Sequence, residues 1–330
     1  MNVLGATPTR NLALELARVT EAAAMMAGRF MGRGDKEGAD AAAVNAMRLV
    51  LSTVDMSGVI VIGEGEKDEA PMLFNGEKVG NGSSPDVDVA VDPIDGTRPL
   101  AFGRTNSIAT VAIAPRGTMF DPGPYVYMNK IAVGPESKGK IDIERSVTEN
   151  LRAIAKAKGK EVEDLTTIVL DRPRHNELIA EIRKAGARIR QIPDGDVAAA
   201  LMTAMPDSGV DVLFGIGGTP EGVLAACALR AMGGEIQGKL YARDADELRR
   251  GNEAGYSFEK VLMMEDLVSS EDVFFAATGI TDGELLKGVR YYGNQIATES
   301  LVIRGLTGTI RRINATHSAD KLDNLSALRY

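Results

Sequence analysis

Strands and helices alternate through the middle of the chain, and this alternation constrains the fold more than any other feature of the sequence. Short runs rich in β-branched residues predict the strands, and apolar residues at helical spacing predict the helices. The predicted strands are 166–170, 188–192 and 211–215, and the predicted helices lie near 176–185 and 197–202. Ser146 and Glu149 form a capping-box signature ahead of one more helix that runs to about residue 158. The alternation indicates a partly parallel sheet with helices on its faces.

The N-terminal third of the chain predicts two helices followed by three strands. The helices are 12–31, with a stop at Gly32, and 40–51, and the strands are 58–63, 87–92 and 107–114. Pro93 follows the second strand and is expected to end its ladder, because proline has no amide hydrogen to donate. Glycine, serine and asparagine make 75–85 the best loop candidate. We expect an N-terminal α+β part over 1–140 and a C-terminal α/β part over 141–330.

Charge and composition count against several classes of protein. The chain has 38 Lys and Arg against 46 Asp and Glu, a net charge of −8, whereas a nucleic-acid surface needs clustered cations. No apolar run reaches the roughly 18 residues of a membrane span, and the first residues lack the basic and apolar segments of an export signal. Cys227 is the single cysteine, so an internal disulfide and a thiolate zinc site are excluded. We therefore expect a cytoplasmic α/β enzyme with no nucleic-acid or membrane partner.

The segment VDPIDGTR brings two carboxylates to the end of a predicted strand. Asp92 and Asp95 are so close in sequence that they repel each other unless a cation lies between them, and their oxygens suit Mg²⁺ or Mn²⁺. Gly96 allows a ligand to approach the backbone, and the Thr97 hydroxyl is suited to orienting a water molecule. The alternative is a β-turn stabilised by aspartate hydrogen bonds to its own backbone.

Three more acidic residues are candidates for the same chemistry. Glu64 follows a predicted strand and stands between two glycines, and Asp40 lies near a helix start, where an acidic residue also favours the helix dipole. Glu221 belongs to GIGGTPEG, which is not a dinucleotide fingerprint because Pro220 occupies the third glycine position. This turn is suited to an anion at the helix start or to a metal ligated by Glu221. The alternative for Glu64 is a solvated acidic loop, and the alternative for Asp40 is a helix-start residue that only favours the helix dipole.

Basic and polar residues follow two of the central strands. Arg172 and Arg174 flank Pro173 after the first of them, and guanidinium groups bind phosphate in a bidentate manner. Asp194 and Asp196 follow the next strand and are suited to accepting hydrogen bonds from sugar hydroxyls. A surface ion-pair network is the alternative. His175 and His317 are the only histidines, which argues against a histidine metal site or a serine–histidine hydrolase, and His175 is interpreted as a helix-start residue.

Taken together, these motifs resemble one family. DPIDGT resembles the signature of the lithium-sensitive, metal-dependent sugar phosphatase superfamily. The ordered set GRGDK, IGEGE-x-DEAPM, DPIDGTR, DRPRH, IPDGD, GIGG-x-PEG and ATGIT is similar to class II fructose-1,6-bisphosphatase over about 12–317, nearly the whole chain. The resemblance implies hydrolysis of the 1-phosphate of fructose 1,6-bisphosphate in gluconeogenesis. It also implies a layered αβαβα fold, with two sheets between helical layers, and a homo-oligomer, either a dimer or a tetramer.

The resemblance further implies a role for each candidate residue, with Mn²⁺ or Mg²⁺ as the cofactor. Asp40 and Glu64 would hold one cation, and Asp92, Asp95 and Glu221 a second. Thr97 would activate the attacking water, and Lys36 would neutralise charge nearby. The substrate site would be formed by Asp95, Gly96, Thr97, Tyr127, Arg172, Pro173, Arg174, Asp194, Gly195, Asp196 and Gly218. Some members carry Glu at the position of Asp95, and the shorter ligand is expected to alter metal preference.

Two other functions stay open at this point. One is a related phosphatase acting on sedoheptulose 1,7-bisphosphate or on an inositol phosphate. The paired arginines favour a substrate with two phosphates, but they do not separate the two bisphosphates. The other is a non-catalytic module that binds a metal or a nucleotide, against which the position of Thr97 beside Asp92 and Asp95 argues.

Overall fold

The computed structural model describes residues 11–65, 72–325 and 328–330, and part of the IGEGE-x-DEAPM motif therefore lies outside the described residues. The chain forms two sheets. The eight-stranded sheet contains β1 (Ser57–Ile62), β2 (Lys78–Val79), β3 (Asp86–Asp95), β4 (Ile108–Pro115), β10 (Phe274–Gly279), β11 (Arg290–Tyr292), β12 (Gln295–Arg304) and β13 (Thr309–Ser318). The five-stranded sheet contains β5 (Tyr127–Val133), β6 (Thr166–Leu170), β7 (Arg188–Ile192), β8 (Val212–Gly218) and β9 (Glu235–Leu240).

Strand order shows that both sheets are mixed. The eight-stranded sheet has the order β11-β12-β10-β4-β3-β1-β2, with β13 paired to the other side of β12, and the order of the second sheet is β7-β6-β8-β5-β9. β1 and β3 are parallel, as are β6 with β7 and β6 with β8, whereas β5 is antiparallel to both of its neighbours. The predicted partly parallel sheet is confirmed.

Helices cover the outer faces of both sheets and fill the space between them. They are α1 (Ala13–Ala27), α2 (Lys36–Leu51), α3 (Thr97–Ala101), α4 (Val147–Lys158), α5 (Asn176–Ala185), α6 (Asp196–Met202), α7 (Thr219–Met232), α8 (Ala245–Glu253), α9 (Met264–Leu267) and α10 (Ala319–Leu325). One apolar core joins α1 and α2 to the eight-stranded sheet, a second surrounds α6 and α7 between the sheets, and a third joins α4 and α5 to the five-stranded sheet. These are the five layers of the predicted αβαβα fold, which is confirmed.

Successive side chains of a strand point to opposite faces of the sheet, which explains how one buried strand contributes to two cores. In β3, Val89 and Val91 face α1 and α2, whereas Ala90 faces the central helices. In β8, Phe214 faces α4 and α5, and Leu213 faces the central helices. A strand that is covered by helices on both faces is apolar at successive positions, as in Ile168–Leu170 of β6 and Val212–Phe214 of β8.

Helices and strands that short stretches of sequence predict, through a capping box or an apolar period, lie where they are expected. α5, β6 and β7 have the predicted bounds, and the capping box forms, with the Glu149 amide donating to Ser146 Oγ at 3.3 Å. Several predictions differ from the structure. The helix predicted over 12–31 is shorter, since α1 ends at Ala27 and a 3₁₀ turn follows over Gly28–Phe30. α2 begins at Lys36, because Asp35 Oδ1 caps it by accepting from the Gly38 amide at 2.8 Å; β8 continues beyond residue 215; and 75–85 contains the short strand β2. The division of the chain at residue 140 stays a prediction.

Pro93 does not end its strand, and that prediction is wrong. β3 continues to Asp95, and its pairing with β4 shifts register between Asp92 and Asp95, so that one extra residue stands on β3. A bulge of this kind tolerates proline because the residue needs no ladder hydrogen bond there. The bulge lies between Asp92 and Asp95, and both carboxylates therefore stand at the same end of the sheet.

Within the described parts of the chain, no helix has both the length and the apolarity needed to cross a bilayer.

Candidate active site

A cavity of about 420 Å³ opens at the ends of five strands that come from both sheets. Most of the predicted site residues line it. They are Asp40, Glu64, Asp92, Asp95, Gly96, Thr97, Tyr127, Arg172, Arg174, Asp194, Asp196, Gly218 and Glu221. Glu64, Arg172 and Asp194 each come two residues after a strand, and Asp95 and Gly218 end theirs. In open α/β sheets, ligands bind beyond the carboxyl ends of strands, and the cavity has that position.

Asp92 and Asp95 form the base of the cavity. The Asp92 carboxylate accepts a hydrogen bond from the Ile94 amide at 3.0 Å, and Asp95 Oδ2 accepts one from the Ala198 amide at 3.3 Å. Burial raises the pKa of both carboxyls well above the usual value, and nearby acidic groups, Glu221 among them, raise it further. Two such groups hold a charge at neutral pH only when positive charge is supplied beside them.

A left-handed turn connects these carboxylates to the threonine. Gly96 has φ of +94°, a conformation that favours glycine, and Ser107 Oγ donates to its carbonyl at 2.7 Å. Thr97 begins α3 and is half-buried, and its Oγ1 lies 3.2 Å from the Ile94 carbonyl, to which it donates. With its hydrogen used in this way, the hydroxyl oxygen can accept a hydrogen bond from a water molecule in the cavity.

The glycine-rich turn places Glu221 in the cavity. β8 ends at Gly218, and Glu221 lies in the first turn of α7. A Cβ atom at Gly218 would collide with the Glu221 carboxylate, so this glycine leaves room for the acidic side chain. Burial, and to a smaller extent the charge of Asp196, raise the Glu221 pKa to about 7 against the opposing charge of Lys130.

Glu64 and Asp40 complete the acidic side of the cavity. Burial raises the pKa of both, in the case of Glu64 to about 7, and the charges of Asp40 and Glu221 add to the effect on Glu64. The mutual influence of these groups follows from the topology: parallel β1 and β3 end side by side, and α2 passes over them.

The two arginines lie on the opposite side, and backbone carbonyl groups hold them. Arg172 donates to the Pro193 carbonyl and, at 3.2 Å, to Asp194 Oδ1. Arg174 donates to the Ile216 carbonyl through Nε and Nη2, at 3.1 and 2.7 Å, and its guanidinium lies 5.5 Å from the centroid of the Tyr127 ring. Such anchoring fixes the direction of each guanidinium before a ligand arrives, which reduces the entropy lost on binding.

His175 has a structural position, as the sequence interpretation held. It precedes α5, its Nδ1 lies 2.7 Å from the Leu170 carbonyl, and its Nε2 accepts from the Ile216 amide at 2.8 Å. The ring therefore bridges β6 and β8 beyond the point where their direct pairing stops, at Ile168 and Leu213. Burial lowers its pKa, which favours the neutral form that this pair of contacts requires.

Three predicted residues do not line the cavity, and one that the sequence analysis missed lies beside it. Lys36 is exposed, with its Nζ 5.6 Å from the centroid of the Phe102 ring, and Pro173 and Gly195 lie next to lining residues. The missed residue is Lys130, whose Nζ lies 2.8 Å from Asp196 Oδ2. A lysine directly before the apolar run Ile131–Val133 of a strand is the signal that could have identified it.

The donor set fits hard divalent cations. It consists of carboxylate oxygens, which Mg²⁺ and Mn²⁺ prefer, and because burial raises the pKa of these groups, a cation beside them would favour their charged form. Among the residues that the structure describes, no three His, Cys, Asp or Glu side chains are arranged to hold one ion. The carboxylates therefore share a cavity without converging on a single point.

The fold and the cavity define a class of protein, namely layered αβαβα proteins with an acidic site at the ends of their strands. The profile of the family described as "Bacterial fructose-1,6-bisphosphatase, glpX-encoded" matches residues 10–317. The chain belongs to this family and is a phosphoric monoester hydrolase.

Individual relatives agree with the family profile. The chain is 50% identical over 327 residues, 95% of this chain and 97% of the relative, to "Fructose-1,6-bisphosphatase 1 class 2" of Escherichia coli strain K12. It is equally similar to "Fructose-1,6-bisphosphatase class 2" of Shigella flexneri, with 50% identity over the same shares. Among solved structures, the extragenic suppressor protein suhB of Bartonella henselae matches with a TM-score of 0.32 and 15% identity, over 59% of this chain and 71% of that one.

Proposed function

We propose that the protein hydrolyses the 1-phosphate of fructose 1,6-bisphosphate, giving fructose 6-phosphate and inorganic phosphate. The observation that carries the proposal is the cavity, which seven acidic side chains and two anchored arginines line together. A site for one small cation would need no arginines, and a site for an anion alone would not collect carboxylates. A bisphosphate bound with cations accounts for both. The names of the relatives support fructose 1,6-bisphosphate as the substrate and give no support to the alternative substrates.

The acidic residues would hold two divalent cations, Mg²⁺ or Mn²⁺. Asp40 and Glu64 would hold one, and Asp92, Asp95 and Glu221 the other. Bound there, such cations would supply positive charge to the oxygens that enter and leave phosphorus. Because the carboxylates do not converge on one point among the described residues, the proposal requires some of their side chains to reorient on binding.

Thr97 would orient the attacking water. Its hydroxyl hydrogen is directed to the Ile94 carbonyl, so its oxygen is available to accept from the water. The water oxygen then bonds to phosphorus as the bond from phosphorus to the sugar oxygen breaks, and the sugar oxygen gains a proton. Lys36 would reduce the negative charge nearby, since it stands four residues before Asp40 on α2 and so shares a helix face with it.

Residues from β5 to β8 would hold the rest of the substrate. Arg172 and Arg174 would bind the phosphate that is not transferred, with Pro173 fixing the bend between them. Asp194 and Asp196 would accept hydrogen bonds from sugar hydroxyls. The other members of the proposed substrate site are Gly96, Tyr127, Gly195 and Gly218.

Phosphate release from three substrates tests the proposal. Purified protein is assayed with fructose 1,6-bisphosphate, sedoheptulose 1,7-bisphosphate and an inositol monophosphate, each with Mg²⁺, Mn²⁺ or a chelator. We expect the highest kcat/KM for fructose 1,6-bisphosphate and no release with the chelator. A preference for the inositol phosphate, or turnover that survives removal of divalent cations, would contradict the proposal.

We also propose that the protein is a cytoplasmic homo-oligomer, a dimer or tetramer, and the edge strand β13 supports self-association. All ten residues of β13 pair with β12 in unbroken register, and no described strand pairs with its other edge. If two copies paired antiparallel about an axis between Ile313 and Asn314, Arg311 would face Thr316 of the second copy. No like charges would then oppose each other, and the open edges would be satisfied.

Substitution of Thr316 tests this pairing. Thr316→Arg would place an arginine opposite Arg311 and should lower the mass measured by light scattering, whereas Thr316→Glu should preserve it. Thr316 is exposed in one chain, so both variants should fold. Equal masses for the two variants would contradict this interface, and a monomeric wild-type protein would contradict the oligomer itself.

A further inference from the structure

Lys130 is a buried cation in the middle of the strand β5. It precedes the apolar residues Ile131, Ala132 and Val133, and only 3% of its surface is exposed. Among the described residues it is the only buried lysine. A lysine is almost never fully buried unless a specific partner compensates its charge, so the partner indicates what the residue does.

The Lys130 ammonium has two partners, and both belong to elements that line the cavity. Its Nζ lies 2.8 Å from Asp196 Oδ2, at the start of α6, and donates to the Gly218 carbonyl, also at 2.8 Å. Asp196 is itself buried, with 6% of its surface exposed. No described residue donates a hydrogen bond to the second oxygen, Oδ1. The ammonium therefore holds one carboxylate oxygen and leaves the other for a ligand in the cavity.

Glycines clear the space in which this ion pair forms. A Cβ atom at Gly217 would collide with Asp196 Oδ2 and would lie 3.0 Å from Lys130 Cε. In the ladders of β5, Lys130 pairs with Gly215 on one side and with Gly238 on the other. Glycine therefore stands opposite Lys130 on both neighbouring strands, and Gly217 leaves room for the ion pair itself.

We propose that Lys130 is a positioning residue that fixes the Asp196 carboxylate for binding of the substrate. This inference rests on the proposed function, in which Asp196 accepts a hydrogen bond from a sugar hydroxyl. Lys130 does not line the cavity, so it acts through neighbouring groups and not by touching the substrate. It contacts Asp196 directly, and its charge also lowers the Glu221 pKa, so the assays below use saturating Mn²⁺ to minimise any effect through Glu221. Its effect should therefore appear in KM more than in kcat, and it should disappear when Asp196 no longer carries its charge.

A double-mutant cycle tests the inference. Lys130→Met, Asp196→Asn and the double variant are compared with the wild type in kcat, KM and melting temperature. We expect each single variant to raise KM at least about tenfold while kcat changes less than about threefold, and the double variant to match Asp196→Asn within about twofold in kcat/KM. Lys130→Met should also melt lower than the double variant, because it leaves a buried carboxylate without a counter-charge.

Lys239 provides the matched control, since it lies on the neighbouring strand β9, is paired with Glu144 at 2.8 Å, and is remote from the cavity lining. Lys239→Met should leave KM unchanged. If kcat/KM of the double variant falls by the product of the two single-variant losses, the inference is overturned. If Lys130→Met does not fold, a double variant more than tenfold poorer in kcat/KM than Asp196→Asn would overturn it as well. Wild-type protein without activity on fructose 1,6-bisphosphate would contradict the proposed function instead.

Discussion

Glu21 is a buried acid far from the proposed active site, and we predict that it makes the protein less stable as the pH rises. It lies on α1, with 7% of its surface exposed, and its Oε1 is 3.5 Å from Thr298 Oγ1. Thr298 also contacts His317 Nε2 at 3.0 Å, and Arg18, Glu21 and His317 line one cavity. Burial raises the Glu21 pKa from 4.5 to about 7, and the contacts with Thr298 and Arg18 only partly oppose the rise.

The size and sign of the effect follow from this shift. An acid whose pKa is raised by folding binds its proton more tightly in the folded state, so the free energy of unfolding falls as the pH increases from about 4.5 to about 7 and is level above that. The full shift corresponds to about 3 kcal/mol at about 1.4 kcal/mol per unit, and about 2–3 kcal/mol of it is lost between pH 5 and pH 8. Glu21→Gln removes the titrating proton and keeps the side-chain shape.

Urea denaturation of the wild type and of Glu21→Gln at pH 5 and pH 8 measures this contribution. The variant should be more stable than the wild type by about 2–3 kcal/mol at pH 8 and by less than about 1 kcal/mol at pH 5. The acidic residues of the cavity titrate in both proteins, so their effect cancels in the difference. Glu15→Gln, at a half-buried residue of the same helix that pairs with Arg18, is the matched control for removing one negative charge from α1. A difference between wild type and Glu21→Gln that is the same at both pH values would refute the reasoning.

Three further predictions concern the proposed active site. Thr97→Ala should lower kcat by about 10²–10³ without changing the melting temperature, because a positioned group that acts on the reacting water is lost; near-wild-type kcat would remove Thr97 from the mechanism. Arg172→Ala should mainly raise KM for fructose 1,6-bisphosphate, and an unchanged KM would count against its contact with phosphate. Gly218→Ala fits the backbone, since φ is −68°, but displaces the Glu221 carboxylate. Its apparent affinity for Mn²⁺, measured by thermal shift, should therefore fall about 10–100-fold, and unchanged affinity would argue against Glu221 as a ligand.

Local signals in the sequence predicted much of the fold. The Ser146–Glu149 capping box and the apolar period of α5 depend on residues within one or two helical turns, so neighbours in sequence determine them. The layered arrangement came from the family resemblance, and it agrees with strands that are apolar on both faces. The convergence of most candidate residues in one cavity followed from the rule that strand ends gather at one edge of a sheet.

The features that were missed depend on contacts between distant segments. Pro93 was expected to end β3, but pairing with β4 continues on both sides of the bulge, and no local signal in β3 specifies that partner. Lys130 was passed over because the acid that compensates it, Asp196, lies 66 residues later in the chain. A lone charge in an apolar strand implies a buried partner, but the sequence does not identify which of the acidic residues it is.

The turn GIGGTPEG shows why a glycine pattern needs a structural reading. In a dinucleotide-binding turn, the glycines allow the backbone to approach a pyrophosphate. Here Gly217 leaves room for the Asp196 carboxylate and its ammonium partner, and Gly218 leaves room for Glu221. The space serves charged side chains of the protein itself, and Pro220 is compatible with this use because it stands in the first turn of α7, where no amide hydrogen is needed. An alanine at each glycine would therefore displace a different carboxylate, so the two substitutions should have different effects. Gly217→Ala should raise KM for the sugar bisphosphate, and Gly218→Ala should lower the affinity for the divalent cation.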